Sequence, residues 1–95
     1  MEKIVITRHN ALIDFLIEKG VIENGKFCLL AHASEKDVKG KDIIGILPFE
    51  LASLANSITT VPLNVPFEKR GKELSIEDIR AFAGTIKTFK VTELV

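Results

Sequence analysis

Short apolar runs alternate with segments of helical periodicity along this chain. Residues 3–8 are short, β-branched and bounded by polar residues, which predicts a buried strand. Apolar residues then recur on one helical face at Leu12, Phe15 and Leu16, and Gly20 is the predicted stop of that helix. Asn10 is predicted to cap the helix, because its side chain can accept hydrogen bonds from the free N–H groups of the first turn.

The same alternation continues to the other end of the chain. Further strands are predicted over residues 26–32, 42–47, 58–65 and 85–93, and helices are predicted to begin at Pro48 and Ser75. Asp78 lies in the first turn after Ser75, where an acidic side chain is favourable. Pro62 predicts that the fourth strand is an edge strand, is interrupted or consists of two short pieces. Residues 33–41 and 66–74 are polar and predict loops.

This order of elements predicts an α/β fold with one mostly parallel sheet. About five strands and about three helices are expected, joined by crossover connections, and residues 1–95 are long enough for one domain. The link between the second and third strands is short. A hairpin and a compact crossover both remain open there.

Composition restricts the functional classes. Thirteen basic residues balance thirteen acidic ones, so no bulk positive charge would attract long nucleic acid, and an anionic ligand must be small and held locally. Cys28, the one cysteine, lies in an apolar run and predicts a reduced core thiol. No apolar stretch approaches the ~20 residues of a membrane span, and the start lacks a signal-peptide core. We therefore expect a cytoplasmic protein without a membrane partner.

The carboxyl ends of the predicted strands carry the polar residues of greatest chemical interest. Thr7-Arg8-His9 follows the first strand, His32-Ala33-Ser34 the second, and the turn from Gly45 to Pro48 the third. Ligands of open α/β sheets bind beyond these strand ends, so the three segments are expected to converge. Arg8 adds a forked phosphate donor beside a helix start, and His9 adds an imidazole suited to acid–base work. The alternative is an exposed arginine and a histidine that bonds a backbone carbonyl.

A charged loop provides a second candidate region. Residues 68–73 carry three positive and two negative charges around Gly71. This loop has two possible interpretations: a solvated connection, or a flexible arm that closes Arg70 over a polyanion. His9 and His32 show no metal-ligand spacing, and no G-x-G-x-x-G follows the first strand, so neither a metal nor a cofactor is predicted. The Arg-His-Gly signature of histidine phosphatases is also incomplete, because Asn10 follows Arg8-His9 where that signature has glycine. A histidine phosphatase is therefore not favoured.

Four ordered segments carry a resemblance to a known family. The segments "VITRHNALIDFL", "LLAH", "GKDIIGILPFELA" and "VPFEKRGKELSIEDI" resemble the small stand-alone Csx-type proteins encoded in type III CRISPR loci. The match runs nearly end to end, in the same order and at the same spacing. Asn10-Ala11 stands where the family commonly has a glycine, and Phe15 where it commonly has a tryptophan.

This resemblance implies a CARF-like, Rossmann-type domain that forms a homodimer. It also implies a ring nuclease that binds and cleaves cyclic oligoadenylate, with the tetra-adenylate expected, and that thereby switches off type III antiviral signalling. Cleavage is expected to need no metal, because the 2′-hydroxyl of the RNA attacks the adjacent phosphorus and leaves a 2′,3′-cyclic phosphate. A non-cleaving sensor or sponge for the same messenger, and an unrelated α/β interaction protein, are the alternatives. The implied catalytic residues are Arg8 and His9, and the implied ligand-binding residues are Thr7, Asn10, His32, Ser34, Gly45, Leu47, Pro48, Glu68, Arg70 and Gly71.

Overall fold

A computed structural model describes residues 3–7 and 9–95, in which five strands alternate with four α-helices. The strands are β1 (Lys3–Ile6), β2 (Phe27–Leu30), β3 (Asp42–Ile44), β4 (Ser57–Thr60) and β5 (Lys87–Phe89). The α-helices are α1 (Asn10–Glu18), α2 (Glu35–Val38), α3 (Phe49–Ala52) and α4 (Ile76–Phe82), and a 3-10 turn covers Phe67–Lys69. None of these helices has the length and apolar character that crossing a bilayer requires.

The strands form one sheet in the order β2-β1-β3-β4-β5. Strand β1 is parallel to both of its neighbours, β3 is parallel to β4, and β5 alone runs antiparallel. The predicted α/β class and mostly parallel sheet are therefore confirmed. Because β1 lies between β2 and β3, the short link between those two strands is a crossover, with α2 as its single helical turn.

Alternating side chains of the central strands bury both faces of the sheet. Val5 and Ile44 point to one face, where they pack with Leu16 and Ile79 of helices α1 and α4. Ile4 and Ile43 point to the other face, where they pack with Val38 and Ala55. Strands buried on both faces read as continuous apolar runs, which is why "KIVI" and "DII" were recognisable. Cys28 is half-buried and packs against the second of these clusters.

The helix starts show one wrong prediction and one confirmed prediction. Asn10 does not cap α1, because it is itself the first helical residue and is exposed; His9 occupies the cap position. The Thr7 hydroxyl accepts from the His9 N–H at 3.1 Å, so a local turn precedes the helix. At α4, Ser75 Oγ accepts from the Asp78 N–H and the Asp78 carboxylate accepts from the Ser75 N–H, each at 3.1 Å, as predicted.

Several strands are shorter than predicted. Strand β4 ends at Thr60, just before Pro62, and Leu63 pairs again only through an isolated bridge to Ala83. Pro62 thus interrupts the extended segment, one of the predicted alternatives. The last strand covers only Lys87–Phe89 of the predicted 85–93. Helix α2 is additional to the three predicted helices, and it lies within residues 33–41, which are predicted as a loop.

Candidate functional site

A cleft of about 490 Å³ opens at the carboxyl ends of the parallel strands, and we name it the strand-end cleft. It lies at the ends of the adjacent strands β1 and β3, between which the chain reverses its direction of travel through the sheet. Ligands of doubly wound α/β sheets bind at such a switch point. The residues that line it are Ile6, Thr7, His9, Leu12, Ala31, Ile44, Gly45, Ile46, Val61 and Leu63.

Gly45 shapes the floor of this cleft. Its φ of +144° is one that residues with a side chain rarely adopt. A Cβ at this position would lie 2.6 Å from the carbonyl oxygen of Ile6. The Gly45 N–H also donates to the carbonyl of Thr59 at 2.9 Å. Glycine therefore lets β1 and β3 approach closely just below the opening.

Local hydrogen bonds hold His9 at the mouth of the strand-end cleft. The Thr7 N–H donates to the carbonyl of Leu30 at 3.3 Å, which continues the pairing of β1 with β2 beyond its last strand residue. The Thr7 hydroxyl then accepts from the His9 N–H. His9 is half-buried at the start of α1. Arg8, the other predicted catalytic residue, lies outside the described residues.

A second, smaller cleft of about 170 Å³ also includes His9, and we name it the loop cleft. The other residues that line it come from the segment after β4: Val65, Lys69, Arg70, Gly71, Lys72 and Leu74. His9 therefore borders both clefts. The charged loop, which the sequence placed far from the first strand, is brought beside that strand's end.

The charged loop is attached to the body of the domain at several points. Lys69 Nζ lies 2.9 Å from a carboxylate oxygen of Asp78 in α4, and Arg70 Nε donates to the carbonyl of Val65 at 3.2 Å. Leu74, at the far end of the loop, is buried in the first core cluster. Gly71 has a φ of +79°, which permits the turn between these anchors. The loop is therefore a shaped wall beside His9.

The charges of this wall are not equivalent. The hydrogen bond from Lys69, followed by the backbone N–H of Ser75, lowers the pKa of Asp78. The carboxylate thus stays ionised and neutralises Lys69. Among the described residues, neither Arg70 nor Lys72 forms an ion pair, so these two cations offer uncompensated positive charge to the loop cleft.

The other residues predicted to bind ligand line neither cleft. His32 is exposed and follows Ala31, which does line the strand-end cleft. Ser34 instead starts α2, because its hydroxyl and N–H both bond Asp37, at 3.0 and 2.8 Å. The remaining positions are Asn10 at the start of α1, Leu47 against the second core cluster, Pro48 before α3, and Glu68 in the exposed 3-10 turn.

Sequence reasoning missed the apolar walls of the strand-end cleft. Val61 and Leu63 flank Pro62, and the bridge from Leu63 to Ala83 brings this segment over the cleft. Ile46 follows Gly45 and is 82% exposed, which is unusual for an isoleucine beside a buried strand. Among the described residues, no three histidine, cysteine, aspartate or glutamate side chains cluster as metal ligands would.

One comparison with known proteins finds a relationship. A family model described as "Putative CRISPR-associated protein (Cas_VVA1548)" matches residues 4–92. This span includes nearly all of the sheet and both clefts. No curated protein and no solved structure matches the chain.

Proposed function

The chain belongs to the CRISPR-associated protein family Cas_VVA1548, and from this premise we propose that it is a ring nuclease of type III antiviral signalling. The substrate we propose is cyclic oligoadenylate, with cyclic tetra-adenylate as the expected ring. The strand order β2-β1-β3-β4, with its reversal between β1 and β3, supports assignment of a Rossmann-type, CARF-like domain. Cleavage of the ring would end the signal that the messenger carries.

One observation carries this proposal: His9 borders an apolar cleft and a basic cleft at the switch point of the sheet. A nucleotide ring presents apolar bases and anionic phosphates joined through ribose. The strand-end cleft offers the apolar surface, and Arg70 and Lys72 offer the cations. His9 lies between them, where a ribose and its phosphate would meet.

The proposed reaction uses the RNA's own nucleophile. The 2′-hydroxyl of one adenosine loses its proton and its oxygen bonds to the adjacent phosphorus, while the bond from phosphorus to the 5′-oxygen breaks. The departing 5′-oxygen takes up a proton, so atoms and charge balance without added water. His9 would move a proton or orient the ribose, and Arg8, its neighbour in sequence, would stabilise charge on the phosphate. Fixed orientation alone contributes several powers of ten to such an intramolecular attack.

We propose that the active form is a homodimer. A ring of four adenylates has approximate rotational symmetry, so two copies related by a two-fold axis can grip it with paired residues. Phe49 and Phe67 are 80% and 85% exposed and line neither cleft. Exposed aromatic side chains outside the ligand site support a self-association surface on this domain.

The test is incubation of the purified protein with radiolabelled cyclic tetra-adenylate in EDTA, followed by separation of the products. We expect linear fragments ending in 2′,3′-cyclic phosphate. Arg8→Ala and His9→Ala are expected to slow single-turnover cleavage by about 100-fold or more. Lys36→Ala removes an exposed cation of α2 outside both clefts and is the matched control, with an unchanged rate expected. A wild-type protein that neither binds nor cuts the ring contradicts the proposal.

Binding without cleavage is the second candidate function, and one observation favours it. Among the described residues, His9 is the only titratable side chain that lines the strand-end cleft, whereas acid–base cleavage commonly uses two groups. A sponge of this kind would form a stable complex from which the ring is recovered intact. The EDTA incubation separates the two functions, because only the enzyme yields fragments.

A further inference from the structure

We propose that the strand-end cleft binds a nucleobase and the loop cleft binds the phosphate of the same nucleotide, with the ribose against His9. This assignment rests on the proposed function and deepens it. It gives each part of the nucleotide its own place on the protein. It also follows from the different chemistry of two clefts that share one side chain.

The chemistry of the strand-end cleft suits an uncharged planar group. Seven of its ten described lining residues are aliphatic, Gly45 adds backbone, and Thr7 and His9 are the only polar side chains. The described residues of this cleft offer a phosphate no cation, whereas those of the loop cleft offer two, and burying an anion without a partner is costly. The flat faces of a base would instead gain contact with aliphatic side chains such as Leu12 and Leu63. A volume of about 490 Å³ lies within the range of small-ligand pockets.

The chemistry of the loop cleft suits a phosphate. Arg70 donates through Nε to Val65, and among the described residues its terminal nitrogens have no protein acceptor. They remain available as a fork for two phosphate oxygens. Lys72 adds a second cation without a carboxylate partner in the described part of the chain. With about 170 Å³, the loop cleft is also the smaller of the two.

The covalent order of a nucleotide decides what lies between the clefts. A base and a phosphate are joined only through the sugar, so one nucleotide that occupies both clefts must place its ribose where they meet. His9 is the one side chain common to both linings among the described residues. This positions the 2′-hydroxyl and its phosphate next to the imidazole. The assignment therefore accounts for the role of His9 in the proposed reaction.

Exposed residues allow this assignment to be tested without disturbing the core. Ile46→Ser removes apolar surface at the base site, where the native side chain is 82% exposed. Arg70→Ala removes a cation at the phosphate site. Leu94→Ser is the matched control for loss of an exposed apolar side chain, because Leu94 is 95% exposed and lines neither cleft. Far-UV circular dichroism and urea midpoints verify that each variant is folded.

The experiment is calorimetric titration with cyclic tetra-deoxyadenylate at several salt concentrations. This ring lacks the attacking 2′-hydroxyl, so it stays intact during the measurement. Ile46→Ser is expected to weaken binding on the order of tenfold with an unchanged salt dependence, since only apolar contact is lost. Arg70→Ala is expected to weaken binding and to reduce the slope of log K against log salt by up to about 0.7. Leu94→Ser is expected to change neither quantity.

Two outcomes would overturn the assignment, and they are distinguishable. If wild-type protein binds neither the deoxy ring nor the ribose ring, the proposed function itself fails. If wild-type protein binds but Ile46→Ser keeps its affinity, or lowers the salt dependence as Arg70→Ala does, only the division between base and phosphate sites fails. The assignment is supported if Ile46→Ser lowers the affinity about tenfold without changing the slope of log K against log salt. Arg70→Ala must at the same time make that slope shallower.

Discussion

Replacement of Gly45 by alanine is the sharpest test of how the strand-end cleft is built. Gly45 has a φ of +144°. A Cβ added to it would lie 2.6 Å from the carbonyl oxygen of Ile6. The oxygen belongs to the backbone at the end of β1 and cannot rotate out of the way. Gly45→Ala must therefore separate β1 from β3 or change the backbone angle.

The size of the effect follows from these two costs. An unfavourable φ at a residue with a side chain costs about 1–3 kcal/mol, and a forced contact in a packed region costs a similar ~1–3 kcal/mol. We therefore expect Gly45→Ala to lower the free energy of unfolding by about 2–6 kcal/mol. A domain of this size has roughly 5–14 kcal/mol in total, so the loss is a large fraction.

Urea unfolding followed by circular dichroism measures this loss, and Gly25→Ala is the matched control. Gly25 has a φ of +78° but no atom within 4 Å of an added Cβ, so only the backbone term of about 1–2 kcal/mol applies. The urea midpoint of Gly45→Ala should fall by about 1–3 M, and that of Gly25→Ala by less. If the two variants lose equal stability, the close contact with Ile6 does not restrict residue 45, and the reasoning is refuted.

Three further predictions concern stability. Ser75→Ala removes the hydroxyl that accepts from the Asp78 N–H at the start of α4, and we expect a loss of about 1 kcal/mol in urea unfolding. Hydrogen bonds from Asn56 and Ser57 lower the pKa of Asp42 in the folded state, so its stabilising effect is present above the ordinary carboxyl pKa of about 4 and is lost as pH falls through the folded value. Unfolding measured between pH 7 and pH 2 should therefore show a smaller acid loss in Asp42→Asn than in wild type, and equal losses would contradict this role. A double-mutant cycle on the exposed Arg80–Glu18 pair, which joins α4 to α1, should give a small coupling energy that decreases as the salt concentration rises, and a large, salt-independent coupling would contradict this.

The sequence predicted those parts of the fold that local patterns determine. Continuous apolar runs predict β1 and β3, and apolar residues at helical spacing predict α1 and α4, because both patterns involve positions close together in the sequence. Helix α2 was not predicted, because Val38 is its only buried residue and a single apolar position gives no helical periodicity. Ser34 and Asp37 have the same spacing as Ser75 and Asp78, and in both pairs the serine N–H donates to the aspartate carboxylate. A serine–aspartate pair at this spacing therefore indicates a helix start even where no apolar face follows.

The candidate site was predictable in its location and only partly in its composition. Strand ends of a parallel sheet meet at one edge, so the places of Thr7, His9 and Gly45 followed from the order of elements. The apolar wall at Leu63 depends on its long-range bridge to Ala83, which no local pattern encodes. The resemblance predicted a CRISPR-associated protein, and the family match over residues 4–92 supports that coarser statement.

The central position of β1 in the sheet has a consequence for folding during synthesis. Val5 lies between Leu29 and Ile44, so β1 pairs only with strands that are synthesised after it. A nascent chain shorter than about half the sequence cannot complete the edge on which His9 lies. Both clefts also need residues 61–74, so a product that ends before this segment should not bind the proposed ligand even though its central strands are complete.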